Sequence, residues 1–147
     1  YLSREGIEAA EELLLMYITM RALQNRRISF ELIRVIFEMR LMLTEGEGLE
    51  LFRCLHCGKE EVHSVYLSEG GLICRECAAK DKKLSKEYPI VLSADAKYTL
   101  QYILTSTPEK LYAFTVTDSV LNELKRFMKS YLARYLPHKF KTLDFIV

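Results

Sequence analysis

Two short stretches hold every cysteine of this chain, Cys54-Leu55-His56-Cys57 and Cys74-Arg75-Glu76-Cys77, with sixteen residues between them. Three chemistries use clustered thiols: a disulfide framework, a redox dithiol and a metal site. A C-x-x-C knuckle turns its two sulfurs to one side, and two facing knuckles complete a tetrahedron of thiolates around zinc. Disulfides belong mainly to small secreted domains that cannot build a core, whereas half of these 147 residues are hydrophobic. A thioredoxin-like dithiol needs one C-x-x-C at a helix start in a βαβ setting, and no alternation of parallel strands is legible here. The spacing therefore predicts one structural zinc on Cys54, Cys57, Cys74 and Cys77. His56 and His63 lie close by in sequence, but four well-spaced cysteines need no substitute ligand, so both read as surface histidines.

Four thiolates close the coordination sphere, whereas a hydrolytic zinc keeps an open position, commonly beside His or carboxylate ligands. The chain shows no G-x-S-x-G, phosphate loop, H-E-x-x-H or glycine-rich nucleotide turn, and His56, His63 and His138 are too scattered to suggest a triad. The expectation is a protein that is not an enzyme and has no small-molecule substrate. Charge points the same way. The formal net charge is +1, from 21 Lys and Arg against 20 Asp and Glu, and ionising four thiols around one Zn²⁺ takes it to about −1. Nucleic-acid contact would then need a local basic patch. Arg53, Lys59, Arg75 and Lys80 flank the knuckles and read first as counter-charges to the thiolate cluster.

The elements that must position the knuckles are mostly helical. From Ser3 to about Asn25, Ile7, Ala10, Leu13, Leu14, Tyr17, Ile18 and Leu23 recur at helical spacing with extras on other faces, predicting a helix buried around most of its circumference. Ser29 caps a second helix through Leu43, stopped at Gly46-Glu47-Gly48, and the short connection between the two makes them antiparallel neighbours. Glu69-Gly70-Gly71 between two apolar runs predicts a hairpin that returns the second knuckle to the first. The charged run after Cys77 reads as a short exposed helix or loop. Ser93 caps a helix ending near Thr107-Pro108, Pro108 opens a short helix through Tyr112, and the last helix runs from about Asp118 to Leu136 before Pro137. Its apolar stripe is core. The opposite face, with Lys125, Arg126, Lys129 and Arg134 continued by His138, Lys139 and Lys141, is a solvated face or a docking strip beside Phe140 and Phe145 for phosphates or an acidic tail.

The fold expected is thus a mostly α helical bundle with an inserted four-cysteine, zinc-ribbon-like β-hairpin at about 52–80, all one domain over 1–147. No stretch approaches eighteen uninterrupted apolar residues, so no membrane span is expected. A chain that begins at Tyr1 reads as a fragment or processed product, and reduced cysteines held for metal favour the cytoplasm.

The order of these features resembles the C-terminal region of the RecO family of bacterial recombination mediators. The resemblance runs from Phe30 to Ile146. Phe30-Glu31-Leu32, Gly46, Leu51 and Cys54-Leu55-His56-Cys57-Gly58 follow the family's first pattern, with Leu49 where a proline is usual. Gly70-Gly71-Leu72-Ile73-Cys74-Arg75-Glu76-Cys77 matches its Gly-Gly-x-x-Cys-x-x-Cys, and Lys139-Phe140-Lys141-Thr142-Leu143 its basic end, with Thr142 for serine. The resemblance implies a part in DNA repair and homologous recombination: single-strand annealing, interaction with RecR and with the acidic tail of single-stranded-DNA-binding protein, and help in loading RecA. It also implies a nucleoid-associated, cytoplasmic setting and an N-terminal OB-fold, absent here, that carries most DNA contacts. Partner contacts are expected at Lys125, Lys129, Arg134, Lys139 and Lys141. Two rivals stand beside this reading: a zinc-ribbon accessory or interaction subunit of a transcription or replication complex, and a redox enzyme using one cysteine pair.

Overall fold

The computed structural model of the chain describes residues 4–135, the side chains at positions 4, 5 and 8 excepted. The elements are α1 (Arg4–Asn25), α2 (Phe30–Thr44), β1 (Ser64–Tyr66), β2 (Gly71–Leu72), α3 (Arg75–Lys80), a 3₁₀ turn (Leu84–Lys86), β3 (Ile90–Val91), α4 (Ala94–Thr105) and α5 (Asp118–Tyr135). The fold is mostly helical with a small antiparallel sheet, as the sequence predicts. The expected start of the first helix at Ser3 and the end of the last at Leu136-Pro137 lie outside the described residues.

Helix α2 is the centre of the bundle and packs against α1, α4 and α5 through Leu32, Val35, Ile36, Met39 and Met42, all buried. Its ends are built by local chemistry. The Ser29 hydroxyl accepts from the Leu32 amide at 3.2 Å, and the far end closes with Gly46 N–H donating to Leu43 O and Glu47 N–H to Met42 O. That pair of bonds needs a left-handed residue at Gly46, where φ is +82°. Arg40, half-buried, reaches across to the C-terminus of α4 and donates to the carbonyls of Ile103 at 3.2 Å and Ser106 at 3.0 Å. Burial lowers its pKa from the ordinary arginine value, with opposing contributions from Glu11 and Tyr112.

Helix α5 lays Leu121, Leu124, Phe127, Met128 and Tyr131 into the core. Its tyrosines also fasten it to the rest: the Tyr131 hydroxyl donates to Glu47 O, beyond the end of α2, and Tyr135 to Leu67 O in the hairpin. The sheet order is β2-β1-β3, with Val65 opposite both Leu72 and Ile90. Gly70 turns the hairpin at φ +80°, while Gly71 is needed for space, because a Cβ there would stand 2.5 Å from Glu50 O. That closeness lets Glu50 lie beside the hairpin, with Glu50 N–H donating to Gly70 O and Leu72 N–H to Glu50 O.

Three expectations are corrected. Helix α1 is buried on one face only: Leu15, Thr19 and Ala22 are covered, whereas Leu13, Leu14, Met16, Tyr17, Met20 and Leu23 are exposed. Apolar residues on all sides of a helix show what it can bury, not how many partners it has. The run after Cys77 is more structured than an exposed segment, since Ala78 and Leu84 sit in the core. It is followed by β3, whose two residues are too few to raise a periodic signal. The stretch from Pro108 to Tyr112 is not a helix but successive turns, with Lys110 N–H donating to Thr107 O and Ala113 N–H to Lys110 O. These place Leu111 in the core and the Tyr112 hydroxyl 2.6 Å from that of Thr19 on α1.

Candidate metal centre

The four cysteine sulfurs all lie within 4.8 Å of one another, and those of Cys57 and Cys74 are 3.6 Å apart. Zinc–sulfur bonds of about 2.3 Å at tetrahedral angles put thiolates about 3.8 Å apart, so this donor set fits one metal ion. All four cysteines are free thiols. Cys54 and Cys74 are buried, Cys77 is half-buried and Cys57 is exposed, so the cluster is open to solvent on one edge.

Backbone geometry makes the site. In the first knuckle Gly58 N–H donates to Cys54 O and Cys54 N–H to Lys59 O, closing a tight loop through Gly58 at φ +79°. Leu55 N–H donates to Leu72 O and pins this loop to the hairpin. In the second, Cys74 is the N-cap of the six-residue α3, its sulfur accepting from Cys77 N–H at 3.5 Å. The Cys54 sulfur accepts from the amides of His56 and Cys74 at 3.4 and 3.3 Å. Those amides control the protons. Burial acts to raise the Cys54 pKa, but the amides of Cys57, Cys74 and His56 overcome it and bring the thiol down to about 6. Cys77 goes the other way, pushed up to about 12 chiefly by its hydrogen bond with the Cys74 sulfur. The Lys59 amide favours a thiolate at Cys57, yet contacts with the Cys74 and Cys54 sulfurs and desolvation leave that thiol raised as well. One sulfur ionises readily, while its crowded neighbours hold protons that a cation would displace.

Two side chains of α4 brace the first knuckle, and sequence reasoning missed both. Lys97, buried, donates from Nζ to Glu60 O at 2.8 Å, and Gln101 donates from Nε2 to Leu51 O at 2.8 Å. The available signal was their position at i and i+4 beside Leu100, on the apolar face of a helix. Both histidines are exposed and neither belongs to the cluster.

The expected partner-contact residues are not gathered in one place. Lys125 is in an ion pair with Glu31 at 2.9 Å. Lys129 is exposed and has no ion-pair partner among the described residues. Arg134 stands nine positions from Lys125, roughly two and a half turns, and so leaves α5 on the opposite side. There it lines a small cleft with Ser130, Lys86 and Tyr88. Lys139 and Lys141, with His138, Phe140 and Phe145, lie outside the described residues. Another basic site, which the sequence reading did not single out, is an open cleft of about 980 Å³ between the end of α1 and residues 108–115. Arg21, Arg27, Tyr17, Tyr112 and Phe114 line it, with the Arg21 guanidinium 5.8 Å from the Tyr17 ring centroid. Among the described residues, no helix is long and apolar enough to cross a membrane.

Fold and site together define a mostly helical protein with a small antiparallel sheet and a pair of cysteine knuckles able to hold one metal ion. The family model described as Recombination protein O C terminal matches residues 2–144. The chain belongs to that family. It is similar to proteins named DNA repair protein RecO: 34% identical over 122 residues to that of Acetivibrio thermocellus, covering 82% of this chain and 46% of the relative. For that of Desulforamulus reducens the values are 29%, 75% and 42%, and for that of Caldicellulosiruptor bescii 24%, 78% and 45%. The chain thus spans a little under half the length of these relatives. No solved structure matches it at the level of significance these relatives reach.

Proposed function

We propose that this chain is the zinc-stapled helical part of a RecO-type mediator of DNA repair and recombination, supporting the fold and docking partners rather than catalysing a reaction. The family match across residues 2–144 carries this reading, and the convergence of four sulfurs within 4.8 Å supports the staple. Cys54, Cys57, Cys74 and Cys77 hold one Zn²⁺, and their closed sphere leaves no position for a substrate. Residues 1–147 act as one domain beside an N-terminal OB-fold that carries the main DNA contacts. The complete protein anneals single strands, works with RecR and single-stranded-DNA-binding protein to load RecA, and resides in the bacterial cytoplasm near the nucleoid.

Within this chain the partner function is recognition of an acidic tail that ends in an apolar residue. The cleft holding Arg21 and Arg27 has the matching chemistry, with guanidinium groups for carboxylates and Tyr17, Tyr112 and Phe114 for an apolar end. The exposed Lys129, with Lys125 beside it, is the competing seat. Titration of a tail peptide into the chain, followed by calorimetry, tests this. Saturable binding that weakens at least about tenfold in Arg21→Glu places the tail in the cleft, and loss in Lys125→Glu/Lys129→Glu places it on α5. No binding of the tail peptide or of RecR contradicts the docking role.

A further inference from the structure

Two small clefts meet where α5 passes the edge of the sheet. One, of about 380 Å³, lies between residues 90–93 and the Glu123, Arg126 and Ser130 positions of α5. The other, of about 360 Å³, lies between residues 86–88 and the Ser130 and Arg134 positions. Ile90 and Ser130 line both, so the two form one groove, open to solvent along its length. On the α5 wall Arg126, Ser130 and Arg134 recur every four residues, which spreads the two guanidinium groups over about 12 Å of helix. The opposite wall carries Lys86 and Tyr88.

The charges of this groove are unevenly engaged. Its two acids are held by protein donors: Glu123 accepts from the Ser93 amide and hydroxyl, each at 2.8 Å, and Glu87 from the Ser68 hydroxyl at 2.7 Å. Arg126, Arg134 and Lys86 are exposed, and none is in an ion pair among the described residues. Tyr88 gives an independent sign, being 98% exposed. The core gains nothing from such a ring, whereas a free aromatic face beside spread cations is what stacking of a nucleic-acid base uses. The spread also decides between occupants. A terminal carboxylate is best held by cations that converge on one point beside an apolar hole, but a repeating negative charge is held by cations strung along a channel. A duplex is too wide for clefts of this size, and its bases are already stacked on one another.

We propose that this groove binds single-stranded nucleic acid, with Arg126, Arg134 and Lys86 on its phosphates and a base stacked on Tyr88. It supplies the local basic patch that a chain of formal net charge +1 needs for such a contact. The groove is separate from the metal centre and from the cleft holding Arg21 and Arg27, so it stands whether or not that cleft takes an acidic tail.

Fluorescence anisotropy of a labelled oligo(dT) of about 15 nucleotides, titrated with the purified 147-residue chain, tests the proposal. Saturable binding with a dissociation constant of about 1–50 μM at low salt is expected, at least about tenfold tighter than for a duplex of the same length. The logarithm of affinity should fall against the logarithm of salt with a slope of about −2, the value for three phosphate contacts to a single strand. Arg126→Ala/Arg134→Ala should weaken binding more than about tenfold and bring the slope to about −0.7. Tyr88→Ala should weaken it about 5- to 100-fold with the slope unchanged, while Tyr88→Phe keeps the parent affinity and both keep the parent's circular dichroism. Oligo(U) of the same length compares RNA with DNA, and a preference for either upholds a nucleic-acid groove and names its ligand. Arg21→Glu should change the affinity less than about threefold. No binding to either strand overturns the proposal, as does a duplex bound equally well, indifference to Tyr88→Ala, or a loss in Arg21→Glu as large as in the groove variants. So does binding of an acidic peptide that Arg126→Ala/Arg134→Ala abolishes, which would make the groove a peptide seat.

Discussion

Cys54 and Cys77 sit in one cluster with opposite proton affinities, one brought down to about 6 by backbone amides, the other pushed up to about 12 by a neighbouring sulfur. Metal binding at neutral pH must therefore displace protons from Cys77 and from the likewise raised Cys57. The bound state holds fewer protons than the free one, so affinity rises with pH. Below about pH 6 Cys54 is protonated too, and the dependence steepens there. Zinc titration calorimetry in buffers of different ionisation enthalpy should show at least two protons released at pH 7, and a release near zero would contradict this assignment. The cysteines and Gly70-Gly71 were legible in the sequence because their chemistry is local, a fixed spacing in each knuckle and a turn. Lys97 was not, because its partner, Glu60 O, lies 37 positions away. Replacing Lys97 by alanine should cost about 1–3 kcal/mol, since the charged hydrogen bond to Glu60 O and the packing of the buried lysine stem are lost, and should hasten metal loss to a chelator. Unchanged stability and release kinetics would show that the strut is idle.

At the scale of elements, capped ends were readable and partnerships were not. Ser29 and Ser93 both cap as their sequence context predicts, each hydroxyl accepting from the amide three residues on. The exposure of α1, the two-residue β3 and the turns after Pro108 depend on what lies across space, and local pattern carries little of that. The joint between α2 and the hairpin rests on the close approach of Glu50 to Gly71. Gly71→Ala should therefore destabilise the chain by about 1–3 kcal/mol or more, because the added carbon meets backbone rather than a movable side chain. Tyr131→Phe tests the other tie. It strips the donor from Glu47 O, and thermal melting should fall by about 2–4 °C for each kcal/mol lost, with a loss of about 1–2 kcal/mol expected. A melting point equal to the parent's in either variant would remove that joint from the account.

Across the whole molecule, the helices surround α2, and the knuckles are held between the hairpin, α3 and the struts from α4. A metal ion bound there links the loop after α2 to the start of α3, closing a loop that hydrogen bonds alone hold in its absence. That linkage is reached most directly by one measurement. The metal content of the purified chain is determined by elemental analysis, together with its thermal melt before and after a strong chelator. The expected result is about one zinc per chain and a melting point several degrees lower once zinc is removed. A chain that holds no zinc, or one that melts identically without it, would contradict the staple at its centre.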